Sequence, residues 1–586
     1  FWYNTLTMFA PHDPLNEMLR KELEAYDDVT AGLLARRGIT TKEEAETFLR
    51  PSYDEHVHDP FLMMDMDKAV TRFAEALSTK EKITVWSDYD CDGIPGAVLM
   101  HDFLTKAGAN FTNYIPHRHR EGYGVNLDGI EVLAKEGTKL IITVDSGITD
   151  VAAIARATEL DMDVIVTDHH LPQEELPPAF AILNPNARAE ETYPYVSLCG
   201  SGVAWKLVCG VLARGFEGRD LIPVGYEKWL LDMVGLATIA DMVPLTGENR
   251  VLARYGLVVM RKSPRLGFQK LCKQARVNQR FITEDDVGFM IAPRINAASR
   301  MGDPRDAFTL LTTTDESVAD ELAKLLESTN RSRRAAAGAI TKAVHLRLEE
   351  AKSRGETIPS VIVMGDPEWR PGLLGLVANG IAEEFGRPVF LWGREGNELL
   401  KGSCRGGPEN IHVGNLMQAA REGTFLGFGG HAAAGGFSVS PEAVSELSER
   451  LIQAREELPE AEDETLSQAD TMLTTDTVTL SVLQSFDKLA PFGMGNPKPT
   501  IALTGVVIER VSRFGKASEH LRLHLQRGNE ERRETPLEAI TFFAHRELGG
   551  AVEKCVVGSK VSILAYAERD QFARGQPVRL RLLKIF

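Results

Sequence analysis

The sequence predicts a multidomain α/β protein: a doubly wound parallel sheet, joined by long helices to a smaller α/β domain, with an all-β barrel at the C-terminal end. Three observations carry this. From about residue 82 to 245, short apolar strands alternate with amphipathic helices, the pattern of a parallel sheet covered on both faces. Residues 305–352 are rich in Ala, Leu, Glu, Lys and Arg and show no strand pattern, which predicts one or two long helices. Beyond the acidic stretch Glu456–Glu464 the chain becomes β-rich with few helical windows, as a small barrel requires.

In chain order, the strands expected in the first sheet are Ile83–Val85, Phe111–Ile115, Leu140–Val144, Val164–Thr167 and Ala181–Asn184, with helices over Leu127–Glu136 and Asp150–Leu160. Ser360–Met364 and Pro388–Trp392 read as strands of the smaller α/β domain. Thr500–Val511, His520–Leu525, Leu537–Phe543, Lys560–Ala567 and Pro577–Ile585 read as the barrel. The expected boundaries are an N-terminal segment at 1–58, the first α/β domain at 59–265, a helical connector at 266–352, the smaller α/β domain at 353–458 and the barrel at 459–586. A chain of 586 residues is too long for a single core, so several domains are required.

Hydrophobic content of 43% and charged content of 25% are those of a soluble globular protein. No apolar run approaches the ~20 residues that cross a bilayer. The opening FWYNTLTMFAPHDP lacks the basic-then-apolar layout of a signal peptide, and Met8 is read as the natural start. Six cysteines without a C-x-x-C pair fit a reducing cytoplasm and argue against a structural zinc site. The formal net charge of −17 speaks against a nucleic-acid partner only weakly. A basic groove can sit within an acidic surface, and carboxylates that hold metals inflate the count.

The chemistry begins at SDYDCDGIPGA (87–97), where Asp88, Asp90 and Asp92 alternate ahead of a glycine. Like charges so close call for a cation. An EF-hand loop is excluded, because its twelfth position would be Leu99 rather than Glu, and a strand, not a helix, precedes it. Three further apolar runs end on groups able to bind metal. Leu140–Val144 leads to Asp145-Ser146-Gly147, Asp163–Thr167 to Asp168-His169-His170, and Leu236–Ala240 to Asp241. Each alone has a structural explanation: a capping turn, a core histidine beside a surface one, an aspartate ending an apolar element. Together they form an Asp-rich set with imidazole and without thiolate, which suits Mn²⁺ or Mg²⁺. The number of carboxylates suits two ions sharing a ligand, the arrangement of phosphoester hydrolysis.

The segments SDYDCDG, TVDSG, TDHHLP and ATIADMVPL resemble the four motifs of the DHH phosphoesterase superfamily. APRINAASRMGDP (292–304), GLLGLVA (372–378), KGSCR (401–405), FGGHAAAGGF (428–437) and LAPFGMGNPKP (489–499) narrow the resemblance to the RecJ family, single-strand-specific 5′→3′ exonucleases. It covers nearly the whole chain after about residue 30, including LARRGITTKEEAETFLRP. The resemblance implies a DHH-type domain, a DHHA1-type second domain and an OB-fold barrel. It matches Asp88, Asp90, Asp92, Asp145, His169 and Asp241 to metal-binding positions, and Asp90, Asp92, Asp168, His169 and His170 to the catalytic set, with Asp168 orienting its neighbours as well. Arg118, Arg294, Arg300, Ser403, Arg405 and His431 match substrate-binding positions, and arginine forks are the right chemistry for a terminal phosphate. Phe514, Lys516, His520, Arg522 and Phe572 are the candidates for strand contact on the barrel.

Three positions depart from the family pattern. Ile94-Pro95-Gly96 replaces a Thr/Ser-containing turn, Arg370 stands where histidine is common, and Gly406 stands where serine is common. None removes an expected ligand. The resemblance implies a metal-dependent exonuclease that degrades single-stranded DNA 5′→3′ to 5′-mononucleotides in repair and recombination. Its cofactor would be Mn²⁺ or Mg²⁺, its partners a helicase and a single-strand-binding protein, its state a cytoplasmic monomer. Two other readings remain open at this stage: a DHH phosphodiesterase of short oligonucleotides or cyclic dinucleotides, and a non-catalytic single-strand DNA-binding replication factor.

Overall fold

Strands with apolar residues on both faces have to be covered twice, and the first sheet is. In the computed structural model, β1 (Lys82–Ser87), β2 (Asn110–Tyr114), β3 (Leu140–Val144), β4 (Asp163–Thr167) and β5 (Ala181–Leu183) run parallel in the order β2-β1-β3-β4-β5. On one face Trp86, Ile141, Val164, Val166 and Ile182 pack against Ile130, Leu133, Ile154 and Ala157 of the helices Leu127–Lys135 and Val151–Glu159. On the other, Ile83, Val85, Ile142, Val144 and Ile165 join a larger core with the helices Met66–Thr79, Gly93–Lys106 and Gly200–Arg214. The alternation of strand and helix leaves no other cover for such strands.

The structure describes residues 15–394, 399–407, 411–420, 422–430, 433–458, 469–528, 535–570 and 577–586, so Met8 lies outside the described residues. They fall into two units, one formed by residues 13–330 with 477–500, the other by the later segments 331–476 and 501–586. Residues 305–352 are helical as expected, with Arg305–Thr312 followed by the long helix Glu316–Ser353.

Within the second unit, β6 (Ile362–Gly365), β7 (Val389–Gly393), β8 (Leu400–Arg405), β9 (Gly427–Gly430) and β10 (Ala434–Val439) form a mixed sheet in the order β6-β7-β8-β10-β9. The last sheet contains β11 (Thr471–Met472), β12 (Thr500–Phe514), β13 (His520–Leu525), β14 (Leu537–Thr541), β15 (Lys560–Arg569) and β16 (Val578–Ile585). Its order is β11-β12-β13-β14-β16-β15, and an added β12–β15 pairing closes it into a barrel. Among the described residues no helix is long and apolar enough to cross a membrane.

The departure at Ile94-Pro95-Gly96 has a packing reason. These residues open the helix Gly93–Lys106, where proline lacks an N–H that a first turn would leave unpaired anyway. A Cβ on Gly96 would collide with Val144 Cγ1 and lie 2.9 Å from Ser201 Oγ, so the helix sits too close to β3 and to the helix Gly200–Arg214 for any side chain. Gly96→Ala is therefore expected to destabilise the protein by about 1–3 kcal/mol, read as a lower urea midpoint at unchanged slope.

Candidate metal centre

The strand order reverses direction between β1 and β3, and in a parallel sheet that is where ligands collect, beyond the carboxyl ends of the strands. The chain places its acids there. Asp88 follows β1, Asp145 follows β3 and Asp168 follows β4, and each extends the ladder by one rung. Asp88 N–H donates to Val144 O (3.1 Å), Asp145 N–H to Thr167 O (2.9 Å) and Asp168 N–H to Leu183 O (3.1 Å). Asp241 arrives differently, as the C-terminal cap of the helix Leu231–Ala240.

Three overlapping groups of ligand atoms each lie within 4.8 Å of one another: Asp88 with Asp90 and Asp145, Asp92 with His169 and Asp241, and Asp145 with His169 and His170. His169 Nε2 sits 3.2 Å from Asp145 Oδ1, 3.7 Å from Asp241 Oδ2 and 3.8 Å from Asp92 Oδ2. Asp145 thus stands between two clusters, the place of a shared ligand.

The first cluster depends on a glycine. A Cβ on Gly93 would strike Asp88 O, so only glycine lets the loop fold back on itself. Asp90 Oδ1 accepts from Asp92 N–H (2.7 Å) and Gly93 N–H (3.2 Å), while Asn296 Oδ1 accepts from Cys91 N–H (3.0 Å). Asp145 has a φ of +60°, a conformation tolerated by aspartate and retained at sites that need it. Gly200 packs so tightly on it that a Cβ there would lie 2.5 Å from Asp145 Cβ.

Asp168 is spent on orientation. Its Oδ1 accepts from His169 N–H (2.7 Å), His170 N–H (3.1 Å) and the His170 ring at Nδ1 (2.8 Å), and its Oδ2 from Ile148 N–H (3.0 Å). Asn184 and Asn186 brace the same pair from behind, donating to His170 O and His169 O. Asp92 caps the helix Gly200–Arg214, accepting from Gly200 N–H (2.6 Å) and Ser201 N–H (2.8 Å). Gly200, Ser201, Asn184, Asn186 and Asn296 were not anticipated. The small-residue run CGSG before an apolar helix was the one available sign of a helix N-terminus close to an anion.

The electrostatics favour a cation. Burial raises Asp88, Asp145 and Asp241 well above the carboxylate range, and neighbouring carboxylates push further in the same direction. Burial also raises Asp92, against the opposing pull of His169. Burial would raise Asp168 too, but the bond and charge of His170 and the surrounding N–H groups hold it low. His169 is lowered by burial, whereas His170 is raised because Asp168 outweighs burial. Asp88 Oδ1 and Asp145 Oδ1 are buried and accept no hydrogen bond from the described residues. Buried, unpaired carboxylate oxygens beside imidazole are the donors a hard divalent ion takes, so the residues fit such an ion.

Two of the expected substrate residues flank this cluster. Arg118 lies 5.0 Å above the Tyr89 ring, and no carboxylate pairs with it among the described residues; its charge also reaches Asp88. Arg300 is half-buried, and its charge acts on Tyr89 as well. Arg294 is placed otherwise. It is buried, with Nε and Nη2 on Glu327 and Nη1 on Met290 O, so its guanidinium is committed to the fold. Tyr123, which was not anticipated, reaches both Asp145 O and His170 Nδ1 at 3.2 Å.

In the other unit, Ser403 and Arg405 lie on β8. Arg405 packs over Gly375 of the helix Pro371–Phe385 and donates to its neighbour Cys404 O; among the described residues no carboxylate faces it. Burial lowers its pKa, as expected for a cation without a counter-charge. Gly406 explains itself, since a Cβ there would lie 2.5 Å from Ile411 O. Arg370 caps the helix Pro371–Phe385. His431 lies outside the described residues. On the barrel, Phe514, His520 and Arg522 come together: His520 lies 5.0 Å from Phe514, and the Arg522 guanidinium 5.3 Å above the same ring. Phe542 and Phe543 complete the cluster, with Arg581 4.3 Å above Phe542. Lys516 is exposed on the loop after β12, and Phe572 lies outside the described residues.

Comparisons with known proteins agree with this architecture. Three family models match: the DHH family N-terminal domain over residues 82–238, the DHHA1 domain over 359–457 and the RecJ OB domain over 469–584. The single-stranded-DNA-specific exonuclease RecJ of Bacillus subtilis is 34% identical over 539 residues, 92% of this chain and 65% of the relative. That of Dickeya dadantii is 33% identical over 480 residues, 80% of this chain and 82% of the relative. The crystal structure of RecJ from Thermus thermophilus in complex with Mn²⁺ superposes with a TM-score of 0.78 at 26% identity, covering 97% of this chain and 77% of that one. The chain therefore spans about two thirds of the Bacillus relative (65%) and more of the other two. With its metal-fitting acids at the switch of a parallel sheet and these relatives along most of its length, the chain belongs to the RecJ family.

Proposed function

We propose that the chain is a metal-dependent exonuclease that degrades single-stranded DNA from its 5′ end to 5′-mononucleotides, in repair and recombination. One observation carries the reading: two clusters of ligand atoms meet at Asp145 and His169, at the β1–β3 switch of the sheet. Asp88, Asp90 and Asp145 would hold one ion, and Asp92, His169 and Asp241 a second. Bound Mn²⁺ or Mg²⁺ supplies an activated water and neutralises charge on the phosphoryl oxygens.

The chain's own groups do the rest. Asp168 fixes the His170 ring through Nδ1 and raises its pKa against burial, which leaves Nε2 facing away from Asp168 and available to the scissile phosphate. The helix N-terminus at Gly200 and Ser201 orients Asp92 and offsets part of the burial that raises it. Arg118 and Arg405 are cations without carboxylate partners among the described residues; Arg118, with Arg300 in support, offers phosphate-binding chemistry in the first unit, and Arg405, with Ser403, offers it in the second. Arg294 has no part in this, because Glu327 occupies it. The Phe514–His520–Phe542–Phe543 cluster offers stacking faces to bases, and Arg522 and Arg581 charge to the backbone. A helicase that exposes single strand and a single-strand-binding protein are the partners this activity calls for, and we place the enzyme in the cytoplasm as a monomer.

Digestion of an end-labelled single-stranded oligonucleotide tests the reading. Immediate release of the 5′-labelled mononucleotide with Mn²⁺ or Mg²⁺, abolished by EDTA and by Asp90→Ala, is the expected result. Cleavage of di- and trinucleotides alone would instead identify a small-substrate phosphodiesterase. Arg405→Ala should reduce the preference for 5′-phosphorylated over 5′-hydroxyl ends by about 1.5–3 kcal/mol, the scale of a charge-assisted bond; equal loss on both ends contradicts the assignment. Thermal unfolding reads the metal itself. Mn²⁺ at 100 times its dissociation constant should stabilise the protein by about 2.7 kcal/mol. Asp145→Asn should raise the melting temperature in EDTA, by removing one buried like charge, and abolish the Mn²⁺-induced rise.

A further inference from the structure

The turn that carries Asp241 is the part of the metal centre least able to hold itself. The Asp241 side chain is 26% exposed, against 0% for Asp92 and 4% for Asp145. It stands at the end of a helix rather than on a strand ladder. The next residue, Met242, has a φ of +61°, a left-handed conformation that disfavours a bulky side chain, and it is largely exposed, so packing does not hold it there.

The turn is held from outside. Tyr195 O–H approaches Pro244 O at 3.2 Å and Thr246 O at 2.8 Å, and Asn249 Nδ2 donates to Pro244 O (3.1 Å). A further tie comes from far along the chain: Leu245 N–H donates to Met494 O at 2.7 Å. The flanking glycines of that segment are shaped to the turn. A Cβ on Gly493 would lie 2.8 Å from Leu245 Cδ1, and one on Gly495, at φ +69°, 3.2 Å from Thr246 Cγ2 and 3.3 Å from Pro244 Cβ.

The segment is itself anchored to the same unit. Arg250, buried and 3.7 Å above the Phe48 ring, donates to Leu489 O (2.8 Å), Ala490 O (3.1 Å) and Pro491 O (3.3 Å). Asn496 Nδ2 donates to Leu489 O and Pro491 O, and its Oδ1 accepts from Arg37 Nε (2.7 Å). Glu284 Oε1 accepts from Phe492 N–H (3.1 Å), and Lys498 pairs with Asp285. Burial, with Arg254 and Arg37 adding to it, pushes Arg250 down to about 9. A cation buried among carbonyls in this way ties the loop down on several atoms at once.

We propose that Gly493–Gly495 are positioning residues of the metal centre: Met494 O and the two bare backbone surfaces beside it fix the Pro244–Thr246 turn, and so set the Asp241 carboxylate at its cation position. The inference rests on the reading of Asp241 as a metal ligand, and its test separates the two. Mn²⁺ binding to the full chain, without DNA, is followed by the EPR signal of free Mn²⁺ for wild type, Asp241→Asn, Gly493→Ala and the double variant Gly493→Ala/Leu245→Val; melting is measured in EDTA. Gly493→Ala is expected to weaken one Mn²⁺ roughly tenfold, the low end for outer-shell partners, and trimming Leu245 to restore most of the affinity. Wild-type affinity in Gly493→Ala with a lowered melting temperature would make the segment a stabilising contact only and overturn the proposal. Unchanged Mn²⁺ binding in Asp241→Asn would overturn the ligand assignment itself. If Gly493→Ala does not fold, Gly495→Ala carries the same comparison.

Discussion

Mutual repulsion among carboxylates crowded at the end of a parallel sheet is the constraint around which the rest of the first unit is organised. Two unit charges 4 Å apart repel by about 4 kcal/mol at an effective dielectric of 20, and a chain with several such pairs cannot keep them buried by packing alone. The fold answers mainly with dipoles, although the charge of Arg118 reaches Asp88. The N-terminus of the Gly200–Arg214 helix faces Asp92, and a ring of backbone N–H groups faces Asp168. Asp88 Oδ1 and Asp145 Oδ1 have no hydrogen-bond donor among the described residues. A donor fixed on those two oxygens would compete with a metal ion, so leaving them open is what makes the cluster useful. Local instability of this kind is a common cost of a binding site.

The two aspartates of highest burial do opposite work with the same side chain. Asp92 and Asp168 both accept backbone N–H groups, yet Asp92 keeps His169 and Asp241 within ligand distance, whereas Asp168 is saturated and serves the two histidines. Position on the ladder decides this. Asp168 directly follows β4, where the chain turns back over its own carboxylate, while Asp92 ends a loop and begins a helix. The arginines divide in a similar way. Arg250 and Arg294 are consumed by carbonyls or by Glu327, and Arg118 and Arg405 lack a carboxylate among the described residues.

Much of this was legible in the sequence because it is local. The five strands of the first sheet show as short runs between amphipathic segments, β1, β3 and β4 leading into Asp, and the barrel shows as a β-rich stretch with few helical windows. What was not legible depends on long-range packing. Arg294 and Glu327 meet through the approach of two helices, and nothing in the APRIN segment signals that its arginine is taken. Asp241 was expected after an apolar run, but whether that run is strand or helix is not settled by burial on all sides. Residues 477–500 lie in sequence beside the barrel and pack instead with residues 13–330, because Arg250 and Arg37 capture carbonyls there. Phe542 and Phe543 needed the β13–β14 register to bring them to His520.

The closed barrel has a consequence for how this family can diversify. Because β12 pairs with both β13 and β15, closure removes, among the described residues, the free edges of β12 and β15 to which a ligand strand could otherwise add. On the function proposed above, recognition there would fall to side chains such as Phe514, Phe543 and Arg581, which cluster around His520 and Phe542 on that scaffold. Selection can therefore exchange those side chains one at a time while the cylinder beneath them keeps its register.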